Sequence, residues 1–183
     1  MGHLFEPAKS GRARCRGCAL PIQRGELRFG ESVDNPFGEG EAVLWFHPLC
    51  AAYKRPESLL AALGQAPAEL PGREALERTA RASTAQRRLP RIDGAERAPS
   101  GQAKCRSCRA PIERGTWRIR IVYFEEGRFT PGGCVHLACR GEYFEGHPAE
   151  EAVLHFSAGL SDAERAELRR AFDSGAQSGT PPV

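Results

Sequence analysis

SGRARCRGCALPIQRGELR, residues 10–28, decides how the rest of the 183-residue chain is read. Moved forward by 90 positions it lies over SGQAKCRSCRAPIERGTWR, residues 100–118, and Ser, Gly, Ala, Cys, Arg, Cys, Pro, Ile, Arg, Gly and Arg coincide. Matches that dense in one register mark an internal repeat. With one residue deleted, WFHPLC (45–50) falls on CVHLAC (134–139), so His47 and Cys50 match His136 and Cys139.

Each copy therefore reads Cys-x2-Cys, a spacer of 28 or 27 residues, then His-x2-Cys: Cys15, Cys18, His47, Cys50 and Cys105, Cys108, His136, Cys139. A Cys-x2-Cys knuckle curls the chain so that both sulfurs face one point, and His-x2-Cys at the start of a helix offers two more donors on one face. Three thiolates and an imidazole suit tetrahedral Zn2+, and the expectation is two zinc ions per chain. A thioredoxin-type redox pair is the competing reading, but neither knuckle sits in a strand-to-helix βαβ setting. Four protein ligands close the shell and leave no position for water or substrate, so the metal is expected to staple the fold and no catalytic residue is assigned. The seventh cysteine, Cys134, falls on Trp45 in the alignment and is expected to be a small core residue outside the ligand set.

Composition supports two small modules. The mean hydropathy of −0.46 leaves little material for one large core. No apolar run resembles a signal peptide or a membrane span, so a soluble intracellular chain is expected, nuclear in a eukaryote and in the cytoplasm or nucleoid of a bacterium, with no membrane partner. The formal charge of +3 is unevenly spread: Lys9, Arg12, Arg14, Arg16, Arg24 and Arg28 face only Glu26 among residues 9–28, and Glu31, Asp34, Glu39 and Glu41 then reverse the sign.

The expected fold is small α+β, zinc-stabilised, with two tandem modules. ELRFGESV and TWRIRIVYF have strand-like composition, and AAYKR and ESLLAAL look helical, split by Pro56. Beyond them, Leu70, Glu74 and Glu77 match Leu160, Glu164 and Glu167, each set opening a helix-like stretch. Ser161 and Glu164 have the form of a capping box, and Pro71 can take a first helical position. Residues 79–102 are rich in Arg, Ser and Ala with two prolines and read as a flexible basic linker. The expected division is module 1 at 1–82, linker at 83–99, module 2 at 100–174 and a disordered tail at 175–183.

FEPAKSGRARCRGC, LRFG and WFHPLC together resemble the PARP-type zinc finger, the DNA-break-sensing module at the front of poly(ADP-ribose) polymerases and in a DNA ligase. The resemblance runs from Leu4 to about Leu63 and recurs more weakly from Ser100 to about Tyr143. It implies a small antiparallel sheet with flanking helices around one zinc in each copy, and DNA ends, nicks or distorted duplex as partner. Carried over by position, Lys9, Ser10, Arg12 and Arg28 would hold phosphates in the first module, Phe37 would stack on an exposed base pair, and Arg118 keeps the place of Arg28 in the second. Guanidinium forks suit phosphate oxygens, and backbone contacts carry no sequence information.

Two departures bear on function. The loop GESVDNPFGEGEAV is acidic, and Arg12 becomes Gln102 in the second copy, so DNA contact is expected in the first module before the second. Too few residues remain after the second helix for a polymerase region, so a non-enzymatic protein is expected. The alternative is a zinc-stapled protein-interaction module that kept the fold and lost the DNA face. His3, His147 and His155 are given surface or capping roles.

Overall fold

Hydrophobic alternation in the two strand-like runs does produce two sheets. The computed structural model describes residues 2–35, 38–67, 69–147 and 149–176. Among them, β1 (Leu4–Pro7), β2 (Leu27–Asp34) and β3 (Glu41–Phe46) form one antiparallel sheet in the order β1-β2-β3. Three helices come next: α1 (Pro48–Lys54), α2 (Pro56–Gln65) and α3 (Arg73–Ala85). A second three-stranded sheet, β4-β5-β6, is built from β4 (Arg91–Arg97), β5 (Trp117–Glu125) and β6 (Arg128–His136), and leads into α4 (Arg140–Tyr143), α5 (Glu150–His155) and α6 (Asp162–Ala176).

The chain divides into two compact units. The first is Met1–Arg87 together with Phe124–Thr130, and the second is Arg88–Tyr123 with Pro131–Val183. In the first, Phe29, Phe46, Leu59, Leu63 and Ile22 are buried between the sheet and the helices. Phe124 and Phe129, at the tip of the β5–β6 hairpin, belong to this unit: Phe129 meets Phe46 edge-on at 6.4 Å, and Arg55 lies 3.8 Å from the Phe124 centroid. The tip itself turns through Glu126 and Gly127, both at positive φ, the two-residue turn that matches strand twist. In the second unit Ile112, Ile119, Ile121, Val135, Phe144 and Leu168 take the core positions.

The backbone hydrogen bonds around the first knuckle recur at the matching positions of the second unit. Cys15 N–H donates to Leu20 O and Ala19 N–H to Cys15 O; ninety residues on, Cys105 donates to Ala110 and Arg109 to Cys105. Ala19 and Arg109 both take left-handed φ, 61° and 65°, to close the knuckle, and Gly25 and Gly115 do so at 83° and 81°.

Three expectations change. Residues 91–97, read as flexible linker, form β4, because Ile92 and Ala95 are buried and the Ala95 N–H donates to Ser157 Oγ at 2.8 Å. A low density of large apolar residues concealed this strand, which relies on small ones: a Cβ on Gly94 would lie 2.5 Å from the Phe156 carbonyl oxygen. The first terminal helix starts at Arg73 with Gly72 as its left-handed N-cap, so Pro71 sits in the preceding turn. It also runs to Ala85, past the expected module boundary. Strands β2 and β5 and helices α1 and α2 match their sequence signals, while α6 runs to Ala176, two residues into the expected tail, and residues 177–183 of that tail lie outside the described residues. Ser161 and Glu164 form the capping box, with Ser161 N–H donating to Glu164 Oε2 at 2.8 Å and Glu164 N–H to Ser161 Oγ at 3.3 Å.

Glu31 is not part of an open acidic loop. Its side chain is 1% exposed and accepts from Arg55 Nε and Nη2 at 2.6 to 2.9 Å and from Ser58 Oγ at 2.5 Å. A buried carboxylate with its cation removed is left uncompensated. Arg55→Ala is expected to lower unfolding stability in zinc-saturated buffer by about 3 kcal/mol in urea denaturation, with Arg55→Lys recovering only part because an ammonium lacks the planar fork.

Candidate metal centre

In each unit a knuckle, a strand end and a helix start bring the donors together. Cys15 and Cys18 come from the turn after β1, and His47 and Cys50 from the junction of β3 and α1. Their ligand atoms all lie within 4.8 Å of one another, as do those of Cys105, Cys108, His136 and Cys139. His47 Nδ1 is 3.4 Å from Cys18 Sγ and 3.9 Å from Cys50 Sγ; His136 Nδ1 is 3.3 and 3.8 Å from Cys108 and Cys139. Tetrahedral zinc with ordinary Zn–S and Zn–N bonds separates such atoms by ~3.6 Å, so both sets fit the ion.

The surroundings favour anionic sulfur. The backbone N–H of His47 donates to Cys15 Sγ at 3.2 Å, and that of His136 to Cys105 Sγ at 3.3 Å. Hydrogen bonds from Cys18 and Cys50, with the His47 N–H, bring the Cys15 thiol down to about 3, whereas the neighbouring sulfurs and burial push Cys50 up. In the second site the Ala110 N–H lowers Cys108 to about 7, and burial followed by Cys108 raises Cys139 to about 12. Thiols that must divide negative charge in this way are the donor set a divalent cation neutralises. Hydrogen bonding to Cys18 raises the pKa of His47.

The imidazoles are oriented from behind. His136 Nε2 lies 3.1 Å from Pro111 O, which fixes Nδ1 as the metal-facing nitrogen. In the first site the corresponding nitrogen is also 3.6 Å from Glu26 Oε1, a carboxylate replaced by Thr116 in the second copy. Lys54, 2% exposed, donates from Nζ to Gly17 O at 2.6 Å and so ties α1 to the knuckle.

Cys134 stands outside the four-ligand cluster. Trp45 is paired with Gly30 across the sheet, and a Cβ on Gly30 would come within 2.8 Å of the indole. In the second unit Arg120 replaces that glycine and Cys134 replaces the indole, so a large residue and a small one have changed sides. The Arg16 N–H to Trp45 O bond survives as Arg106 N–H to Cys134 O. None of His3, His147 and His155 joins either ligand set among the described residues. His3 Nδ1 instead accepts from the Ser32 N–H at 3.2 Å.

The residues expected to contact phosphate are placed unequally. Lys9, Ser10 and Arg12 are exposed beside the first knuckle. Arg28 is only 8% exposed, pairs with Glu6 Oε1 at 2.5 Å and lies 3.5 Å from the Trp45 centroid. Arg118 repeats the pairing with Glu96 at 2.6 Å. Phe37 lies outside the described residues. The repeat could have revealed both acidic partners, since Glu6 and Glu96 are also 90 apart. Two further arginines, Arg14 and Arg16, which the sequence marks only as charge, are exposed beside the first knuckle.

A knuckle, a short antiparallel sheet and a helix closed on one Cys3His set define a small zinc-stapled finger. Residues 6–87 are similar to the family model described as the poly(ADP-ribose) polymerase and DNA-ligase zinc-finger region. A poly(ADP-ribose) polymerase of Sarcophaga peregrina is 29% identical over 66% of this chain and 14% of its own length. That of Drosophila melanogaster is 29% identical over 76% and 16%, and poly(ADP-ribose) polymerase 1 of rice is 28% identical over 83% and 15%. The chain thus spans about one-seventh of the relatives it matches. No described helix is long and apolar enough to cross a membrane.

Cys108 is exposed whereas Cys15 and Cys50 are buried, which gives the two sites unequal access. A colorimetric chelator is expected to withdraw two zinc ions per chain in two phases, the second site emptying first. Cys108→Ser should abolish the fast phase, and Cys134→Ser should leave two zinc ions bound. One zinc in that variant would show that Cys134 is a ligand.

Proposed function

We propose that this chain is a zinc-dependent, non-enzymatic DNA-binding protein that recognises strand ends, nicks or distorted backbone without reading sequence. The observation that carries the reading is the arginine cluster displayed on the matched finger: Arg12, Arg14 and Arg16 are exposed around a knuckle that zinc holds rigid. A fixed guanidinium loses little entropy when it takes up a phosphate, and phosphate contacts position a protein without specifying bases. The relatives supply the class of ligand only by analogy, because the match covers their finger region in part.

The first module is assigned the principal contact. Gln102 stands where Arg12 stands in the first, and Arg120 is turned back on the fold, with Nη2 donating to Asp93 O at 2.7 Å. The second Cys3His unit is read as a diverged tandem copy that kept its zinc. In a eukaryote the proposed compartment is the nucleus, and in a bacterium the nucleoid.

The Glu6–Arg28 and Glu96–Arg118 pairs favour a second reading, a protein-interaction module, since both matched arginines are already neutralised. Fluorescence anisotropy with blunt, nicked and covalently closed duplexes at several salt concentrations separates the two. Ends and nicks should bind more tightly than closed DNA, with affinity falling steeply as salt rises. Arg12→Ala should weaken binding to all ends by roughly threefold to tenfold and reduce the salt slope by about one. Absence of binding, or equal weak binding to all three DNAs, would favour the protein-interaction reading.

A further inference from the structure

The first unit contains an open cleft of about 600 Å3 beside its zinc knuckle, with four arginines on its walls: Arg12, Arg14, Arg16 and Arg128. Trp45 and Phe129 supply an aromatic surface to the same cleft. Arg128 and Phe129 lie at the hairpin tip 124–130, which is part of this unit, and no sequence signal pointed to them. Arg12 and Arg16 have no ion-pair partner among the described residues. Arg128 is exposed, and its contact with Glu126 is loose at 3.8 Å between two largely solvated side chains.

These features specify the occupant. Four cations with no buried counter-charge call for an anion, and guanidinium groups prefer phosphate oxygens. An aromatic wall in the same space adds a need for a flat apolar ring. Nucleic acid satisfies both at once where a base face is uncovered, at a terminal base pair or in an unpaired strand. The volume suits a nucleotide unit or two and is far below what a duplex fills.

We propose that this cleft takes the unpaired strand of a DNA end, the arginines holding consecutive phosphates and the Trp45–Phe129 wall receiving a base, with Arg128 and Phe129 as contributors from the hairpin tip. The inference rests on the DNA-binding reading and deepens it: the preferred end is one with a single-stranded overhang. Phe129 is anchored for this role, since it packs on Phe46 at 6.4 Å and on Phe124 at 5.0 Å, has Lys54 Nζ 4.9 Å from its ring centroid, and lines the cleft.

The test compares a blunt duplex with the same duplex carrying a short 3′ or 5′ single-stranded overhang, by anisotropy, using the full zinc-loaded chain. The overhang is expected to bind about tenfold more tightly than the blunt end, the range of one stacked base with its phosphates. Arg128→Glu changes an exposed side chain and should erase that preference without changing zinc content. Phe129→Leu, which keeps an apolar core contact, should reduce the preference without changing zinc content. Equal binding of blunt and overhanging ends by the parent chain would overturn the inference and leave the DNA-binding reading standing. So would an overhang preference that Arg128→Glu leaves intact. Failure to bind any DNA would remove both.

Discussion

Closure of a long chain segment by four metal donors is the constraint on which the first unit depends. Cys15 and Cys18 precede the β2–β3 hairpin and His47 and Cys50 come after it, so one ion ties the two ends of that hairpin together. With 94 residues and a core of a few large apolar side chains, such a unit has little surplus of buried area over chain entropy. Structural zinc contributes on the order of 10 kcal/mol, more than the net stability of most small domains. Everything the unit displays, the exposed arginines above all, is oriented by that closure. The knuckle also sets a steric limit: a Cβ on Gly17 would lie 2.9 Å from Cys50 Cβ.

The two copies show two solutions to one packing problem. Glu31 of β2 and Arg55 at the end of α1 form a buried ion pair, with Arg55 as the C-cap of that helix. At the matching places the second copy has Ile121, 1% exposed, and Phe144, 1% exposed and the C-cap of α4. An apolar pair of similar volume can replace a buried salt bridge with no loss of stability, because the desolvation penalty disappears with the charges. The exchange of Gly30 and Trp45 for Arg120 and Cys134 is of the same kind: volume is conserved across the sheet while its chemistry changes. The scaffold therefore tolerates divergence as long as the zinc ligands and their N–H···S bonds remain.

The parts legible in the sequence were those written in fixed spacings. The ligand sets, the strands β2 and β5 and the Ser161 capping box all arise from residue types at short, chemically determined intervals. Strand β4 escaped because its buried face uses Ile92, Ala95 and Gly94, a composition shared with flexible linkers; its burial depends on Ser157, 62 residues away. The partners of Arg28 and Arg118 escaped for a related reason. A charge pair is an agreement between two distant positions, and only the 90-residue register links Glu6 to Arg28 and Glu96 to Arg118. The hairpin tip carries no local signal for its place in the first unit, since Arg128 and Phe129 read as ordinary strand residues.

The state of Arg28 bears on where a phosphate would be gripped. Its guanidinium is held on one side by the Glu6 carboxylate and covered on a face by the Trp45 indole, and its Nε is buried without a hydrogen-bond partner among the described residues. To meet a phosphate at full strength it would have to exchange a carboxylate for another anion, so the net gain is the difference between two similar ion pairs. Arg12 and Arg16 exchange only water and condensed ions. On the proposed reading, affinity therefore comes first from the exposed arginines, and Arg28 acts mainly by fixing Trp45 against the sheet. A cation stacked at 3.5 Å restrains that ring, which keeps the aromatic wall of the cleft in place before any ligand arrives.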